Sequence, residues 1–266
     1  DINMYATTYI KAKDVADAVS HLNESDEGKL LAGGQTPIPT LKQRLASSDR
    51  LIDLTDAGLS GISDEGSSMR IGAMTRHVEV ETSDLVKKAI PALATLASGI
   101  GDRQVRNCGT IGGSVANNDP SACYPSALLA LGATVHTDKR DIAAGDYFTG
   151  MFETALDEDE VITAVNFPKP EAASYVKFPN PASRYAMVGV FVAKTSSGVA
   201  VAVTGAGQDG VFRHDGLEAA LNGSFSADSV DGVAVDDSVL MSDMHASADY
   251  RAHLITQMTK RAVATC

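Results

Sequence analysis

Two glycine-paired segments constrain this chain more than any other feature. "LLAGGQTPIPTLKQRL" from Leu30 and "GTIGGSVANNDPSACYPSALLALGA" from Gly109 each place two adjacent glycines ahead of a hydroxyl residue and of residues able to start a helix. A glycine pair reaches φ > 0 at little cost and lets another surface come against bare backbone. Where consecutive N–H groups converge at a helix start, they form a cradle for an anion such as phosphate. A single such segment is usually an ordinary turn. Two of them, at Ala32, Gly33, Gly34, Gln35 and Thr36 and at Thr110, Ile111, Gly112, Gly113 and Ser114, suit a diphosphate held from two sides, as in a dinucleotide. The overall field gives no help, because the formal net charge is −12; local amides, hydroxyls and Arg103 or Arg106 must supply the attraction.

That charge, with a pI near 4.8, argues against a nucleic-acid or anionic-membrane partner. At 266 residues and 44% hydrophobic, the chain can bury one large core or two modest ones. No apolar run approaches the roughly 20 residues that span a bilayer. The opening "DINMYATTYIKAKD" has no apolar core of a secretory signal, so the cytoplasm is the expected location, with a peripheral place at the inner face of the membrane as a variant of it. Residues 1–3, ahead of Met4, are left out of the fold reasoning. Cys108, Cys123 and Cys266 lack Cys-x-x-Cys spacing and do not read as a disulfide framework or a zinc site. They also fall short of the four thiolates that an iron–sulfur cluster generally takes.

Hydrophobic spacing predicts a helix from Asp14 (Val15, Val19, Leu22) and another after the first glycines, opened by Pro37 and Pro39 and carried by Ile38, Leu41 and Leu45. "KLL", "RLIDLT", "MRIGAMT", "ATVHT" and "EVITAVNF" read as strands, and the stretch from Glu79 to Ser98 as helix interrupted near Pro91. Beyond Pro168 the character changes. "KPEAASYVKFPNPASRY" reads as a crossover between domains, "MVGVFVAKT" and "VAVAVTGAG" as a hairpin, and three helical segments follow. The last aligns Tyr250, Leu254, Met258 and Ala262 on one face. The class is α+β.

Other features read as structural. "GAGQDG" at residues 205–210 satisfies the dinucleotide pattern G-x-G-x-x-G, but polar "VFRHDG" follows where a helix should open, so it reads as a strand-end turn. His77 and His136 have no partner at ligand spacing. Cys108 and Cys123 flank the second glycine segment and read as packed thiols. "DEDE" at residues 157–160 reads as a solvated turn.

At "LLAGGQTPIPTLKQRLA", "GDRQVRNCGTIGGSVANNDPSACYPSALLALGA" and "RYAMVGV" the chain resembles the FAD-binding medium subunit of the molybdenum hydroxylases, the group of carbon monoxide dehydrogenases, xanthine dehydrogenases and related aldehyde and nicotinate-type enzymes. The resemblance runs over almost the whole chain. It implies a two-lobed FAD-binding domain of the vanillyl-alcohol-oxidase type over residues 1–169, with lobes at about 1–55 and 56–169, and a small α+β C-terminal domain over 170–266. It implies that both glycine segments hold the FAD diphosphate and that Ile100, Ile162 and Lys177 contact the cofactor. Tyr185 matches an aromatic residue beside the isoalloxazine. Two positions depart from the family pattern. Cys108 stands where Arg is usual, and Cys123 stands where an Asp usually contacts FAD, a role that Asn118 or Asp119 could take over.

The same resemblance implies FAD as the cofactor of this chain, with molybdopterin and [2Fe–2S] clusters on a large and a small partner subunit, in a dimer of heterotrimers. Electrons would pass from those clusters to the flavin and on to an external acceptor. Two rivals stand beside it: a self-sufficient flavoprotein oxidase or reductase of the same fold, and a flavin-free scaffold subunit.

Overall fold

The computed structural model describes residues 5–266; residues 1–4, including the three set aside above, lie outside the described residues. The first portion is a three-stranded parallel sheet with two helices: β1 (Thr8–Lys11), α1 (Val15–Asn23), β2 (Lys29–Leu31), α2 (Pro37–Lys42) and β3 (Arg50–Asp53), in the order β1-β3-β2. Asp14 caps α1, its carboxylate accepting from the Asp17 N–H at 2.8 Å. Ala12, Ala18, Ile52 and Leu54 form a small core beneath it. Helix α2 ends sooner than the apolar spacing predicts. Arg44 takes φ of 57°, turning the chain, and Leu45 is left 74% exposed.

The second portion comprises β4 (Ile62–Asp64), β5 (Ser68–Gly72), α3 (His77–Thr82), α4 (Asp84–Ala89), α5 (Pro91–Ser98), α6 (Arg103–Cys108), α7 (Ile111–Asn117), α8 (Tyr124–Leu131), β6 (Thr134–Thr137), β7 (Asp141–Ala143), α9 (Ala144–Tyr147), β8 (Phe148–Gly150), β9 (Glu153–Thr154) and β10 (Ile162–Pro168). Five strands form an antiparallel sheet in the order β4-β5-β10-β6-β7. The helical stretch breaks twice, not once. Pro91 opens α5, and Ser83 breaks the chain earlier: its backbone is extended and its hydroxyl accepts the Val86 N–H, starting α4.

The third portion comprises β11 (Ala172–Pro179), β12 (Ala186–Thr195), β13 (Gly198–Thr204), β14 (Phe212–Arg213), α10 (Asp215–Gly223) and α11 (Ala248–Ala264), with an antiparallel sheet ordered β11-β12-β13-β14. The segment expected to be a crossover therefore supplies a strand; its alternation over Ser174 to Phe178 was masked by the prolines around it. The alternation in "VAVAV" is used on both faces. Val199, Val201 and Val203 join Leu254, Ile255 and Met258 of α11, while Ala200 and Ala202 share the larger core with α5 and α8. Alanine on that face lets the helices come close. "GAGQDG" is the strand-end turn it was read as: Gly205 and Gly210 take φ of 81° and 97°, and α10 starts only at Asp215. The three expected helical segments are two α-helices separated by short 3-10 turns at Ala227–Val230 and Asp237–Val239. Among the described residues, no helix is long and apolar enough to cross a membrane.

Candidate functional site

A cavity of about 630 Å³ lies where the three portions meet, within the range of about 300–1,000 Å³ usual for cofactor and ligand sites. The loop after β2 supplies Ala32, Gly33, Gly34, Gln35 and Thr36, and the start of α7 supplies Thr110, Gly112, Gly113 and Ser114. Ile100 follows α5, Cys123 immediately precedes α8, Ile162 heads β10, Lys177 lies in β11 and Tyr185 precedes β12. Of the residues for which the family resemblance implies contact with the cofactor, Ile111 does not line the cavity; it is fully buried in the core beneath α7.

The two glycine segments touch each other. A Cβ on Gly33 would stand 2.2 Å from the Cys108 carbonyl oxygen and 2.7 Å from the Gly109 Cα. The bareness of Gly33 thus serves contact between loops, where the sequence had suggested a ligand's approach. Gly112 is bare for a similar reason, its missing Cβ being 2.7 Å from both the Cβ and the carbonyl oxygen of Ala73. Gly113 is less confined, with Thr110 Oγ1 at 3.0 Å and Ala32 Cβ at 3.7 Å. Gly34 is needed for its backbone, at φ of 68°.

The segments also differ in what they can offer an anion. In the second, every amide from residue 111 to 114 is used. Ile111 N–H donates to the Thr75 carbonyl (3.0 Å), Gly112 N–H to that of Ala73 (2.8 Å), Gly113 N–H to Thr110 Oγ1 (3.1 Å) and Ser114 N–H to the Thr110 carbonyl (3.1 Å). The glycines lie inside the first turn of α7 and not ahead of it. In the first segment the carbonyls are engaged: that of Gly33 accepts from the Gln35 side chain, that of Gly34 from the Ile38 N–H and that of Thr36 from the Thr40 N–H. The N–H groups of Gly33, Gly34, Gln35 and Thr36 find no acceptor among the described residues. Unpaired donors beside a cavity are costly unless water or a ligand takes them. The anion cradle is therefore the first loop, with the hydroxyls of Thr110 and Ser114 on the facing wall.

Lys177 spends its ammonium inside the protein. Its Nζ donates to the carbonyls of Gly99 and Arg184 and lies 3.7 Å from Cys123 Sγ. Those three partners account for all three ammonium protons. The side chain ties the end of α5, the start of α8 and the turn that carries Tyr185. Arg184 in that turn takes φ of 63°, a strained value for a side-chain-bearing residue, and Tyr185 projects half exposed at the cavity mouth. Arg106 is likewise committed, to Glu81 at 2.8 Å and to the carbonyls of Ile100 and Gly101; Arg103 does not line the cavity. Asn118 turns its amide away, onto the carbonyls of Gly150 and Glu153, so of the two candidate substitutes for the missing Asp only Asp119 faces the cavity. Cys123 is a buried thiol as expected, whereas Cys108 is exposed.

Sequence reasoning missed several wall residues. His77 is buried against the cavity and stacked obliquely on Tyr124, and its Nδ1 has no partner among the described residues. Burial, then the neighbouring Arg106 charge, lowers its pKa to about 4, so the ring is neutral at ordinary pH. Glu160 was read as part of a solvated turn. It is instead a buried carboxylate at the cavity edge, accepting from Arg140 Nε (3.0 Å) and Nη2 (2.9 Å) and from the Thr137 hydroxyl (2.7 Å). Those hydrogen bonds, led by that from Arg140, lower its pKa to about 2. His136 is paired with Asp141 at 2.6 Å, away from the cavity. No linear signal marks Met74 or Leu156, which reach the wall through the fold alone.

Ile100, Ile162, Leu156 and Met74 add apolar groups to the lining of the same cavity. Among the described residues, no cluster of three or more His, Cys, Asp or Glu could hold a metal ion. The family model described as FAD binding domain in molybdopterin dehydrogenase matches residues 4–170. The chain is similar to the nicotine 6-hydroxylase medium subunit of Paenarthrobacter nicotinovorans, at 32% identity over 97% of this chain and 96% of the relative. It is similar also to the carbon monoxide dehydrogenase medium chain of Afipia carboxidovorans, at 32% identity over 96% of this chain and 94% of that one. A solved structure of reconstituted CO dehydrogenase from Oligotropha carboxidovorans superposes with a TM-score of 0.90 at 30% identity, covering 98% of both chains.

Proposed function

Because the chain belongs to the family of FAD-binding domains in molybdopterin dehydrogenases, we propose that it is the FAD-binding electron-transfer subunit of a molybdenum hydroxylase complex. One observation carries this reading: four unpaired loop amides, from Gly33 to Thr36, beside one large cavity that also has an apolar wall. The residues present fit FAD. The loop amides would hold the diphosphate together with the Thr110 and Ser114 hydroxyls, and Ile100, Ile162 and Leu156 would provide apolar contact for the ring. When bound, FAD supplies reversible storage of electrons. The chain orients that cofactor and limits water at its ring, with Tyr185 over the mouth and neutral His77 adding no charge to the wall. Lys177 acts on Tyr185 by holding its turn.

In this reading residues 1–169 form the cofactor-binding unit and residues 170–266 the smaller C-terminal unit; the separate sheet β11–β14 with its own α11-covered core supports that division. The partners are a large molybdopterin-binding subunit and a small [2Fe–2S] subunit, assembled as a dimer of heterotrimers in the cytoplasm, and the electrons leave to an external acceptor. Similarity to medium subunits over nearly their full length favours this over a self-sufficient flavoprotein. Purification from the native source tests it. FAD near one per chain together with molybdenum and iron is expected. A lone, active flavoprotein, or a complex without flavin, would refute it.

A further inference from the structure

Among the polar side chains that line the large cavity, His77 carries a ring with no hydrogen bond to any described residue. It opens α3 and is 5% exposed. Its main chain is fixed to the second glycine segment, the His77 N–H donating to the Gly109 carbonyl at 2.9 Å. Its ring is pressed on the same residue, since a Cβ on Gly109 would stand 2.6 Å from His77 Nε2. Gly109 is also what Gly33 meets, so Gly33, Gly109 and the His77 ring follow one another in contact along the wall. The two ring nitrogens differ. Nδ1 is fully enclosed without a partner, on a ring that stacks on Tyr124, whereas Nε2 is equally unpartnered but is not sealed in. A proton is better placed where an acceptor can reach it than on a nitrogen that nothing can reach. These surroundings assign the neutral tautomer with its proton on Nε2.

We propose that His77, as a neutral imidazole, donates its Nε2–H to the diphosphate of FAD, beside the loop amides of Gly33 to Thr36. The inference rests on the reading of the large cavity as the FAD site. Position supports the diphosphate as acceptor, because the ring adjoins Gly109, which touches the loop whose amides are free. The surroundings keep the ring neutral. The charge that acts on it is that of Arg106 on α6, which Glu81 pairs at 2.8 Å; Tyr124 is the titratable ring beside it, and α5 and α7 carry no titratable group. A second proton would have to sit on the enclosed Nδ1, so burial, then Arg106, holds the pKa near 4. A neutral donor suits a site that must also fold empty, since it leaves no buried charge unpaired there.

The test titrates FAD into the stripped full chain. His77→Phe keeps a flat ring and removes the donor, so FAD affinity should fall roughly 10- to 100-fold. His77→Gln keeps an N–H at similar reach and should restore most of that loss. The pH dependence of FAD affinity should be the same in the wild type and in His77→Gln, because no charge on the ring takes part. At saturating FAD, a phosphorus-31 resonance of the bound cofactor should move between the wild type and His77→Phe. Should the variants fail to fold, nitrogen-15 spectra of the unaltered protein replace them. Among its six histidines, one that stays neutral at pH 5 should show the proton on Nε2 and should shift on that nitrogen when FAD binds. Wild-type affinity in His77→Phe, equal loss in both variants, or unmoved phosphorus resonances would overturn the proposal. So would wild-type affinity that climbs with falling pH where that of His77→Gln does not, or a proton found on Nδ1. A wild-type chain that takes up no FAD overturns the reading of the large cavity instead.

Discussion

Replacing Gly33 by alanine tests the arrangement at its tightest point. The new methyl carbon would lie 2.2 Å from the Cys108 carbonyl oxygen, 2.8 Å from its carbon and 2.7 Å from the Gly109 Cα. The closest of these is about 1 Å or more short of ordinary contact. All three atoms are backbone, so no rotamer change relieves the clash, and the two segments must part. Overpacking of this kind costs about 1–3 kcal/mol. The larger effect should fall on the cofactor, because the displaced loop carries the free amides. Each hydrogen bond to a charged group that is lost removes about 1.5–3 kcal/mol, or roughly 10- to 100-fold in affinity. The assay is flavin-to-protein ratio after gel filtration, with titration of FAD into stripped protein and a thermal melt alongside. Gly132→Ala is the control: its φ of 62° costs about 1–2 kcal/mol in the left-handed region, but its surroundings are open and it lies outside the cavity, so FAD affinity should not change. Wild-type FAD affinity and an unchanged melting temperature in Gly33→Ala would refute the loop-on-loop account.

The remaining expectations concern the walls of the cavity. Lys177→Met should leave the Gly99 and Arg184 carbonyls without their ammonium partner, lowering the melting temperature and exposing the turn at residues 180–185 to limited proteolysis, with wild-type resistance counting against the tie. Glu160 has a folded pKa depressed from 4.5 to about 2, so its contribution to stability is present above the unfolded value and is lost as pH falls from near 4.5 toward 2; Glu160→Gln should flatten the stability curve across that window. His77 is depressed from 6.5 to about 4, so the unfolded chain takes up its proton first and stability declines as pH falls from 6.5 to 4; His77→Phe should remove that part of the decline, measured by denaturant melts at each pH. A thiol reagent should label Cys108 in the native protein, whereas Cys123 should react only on unfolding, and rapid native labelling of Cys123 would contradict its burial.

The sequence by itself determined where the chain must be bare. The two glycine pairs, the strands "KLL" and "RLIDLT", the valine-rich hairpin and the final helix were legible, because backbone freedom and alternation of apolar residues are local properties. Most residues it offered for the site do line the cavity; Ile111 does not, since its apolar side chain is buried in the core, and neither do Arg103, Arg106 and Asn118. What the local pattern could not hold was how each polar group is spent. Gly33 and Gly112 are bare for neighbours 39 to 76 positions away in sequence, not for a ligand: Cys108 and Gly109 in one case, Ala73 in the other. The amides of the second segment are consumed by Thr75, Ala73 and Thr110, the Lys177 ammonium by three other segments, and Glu160 is drawn from an acidic turn into the interior by Arg140. Only tertiary structure decides such matters, because a donor or a carboxylate is free or committed according to which distant strand or helix reaches it first.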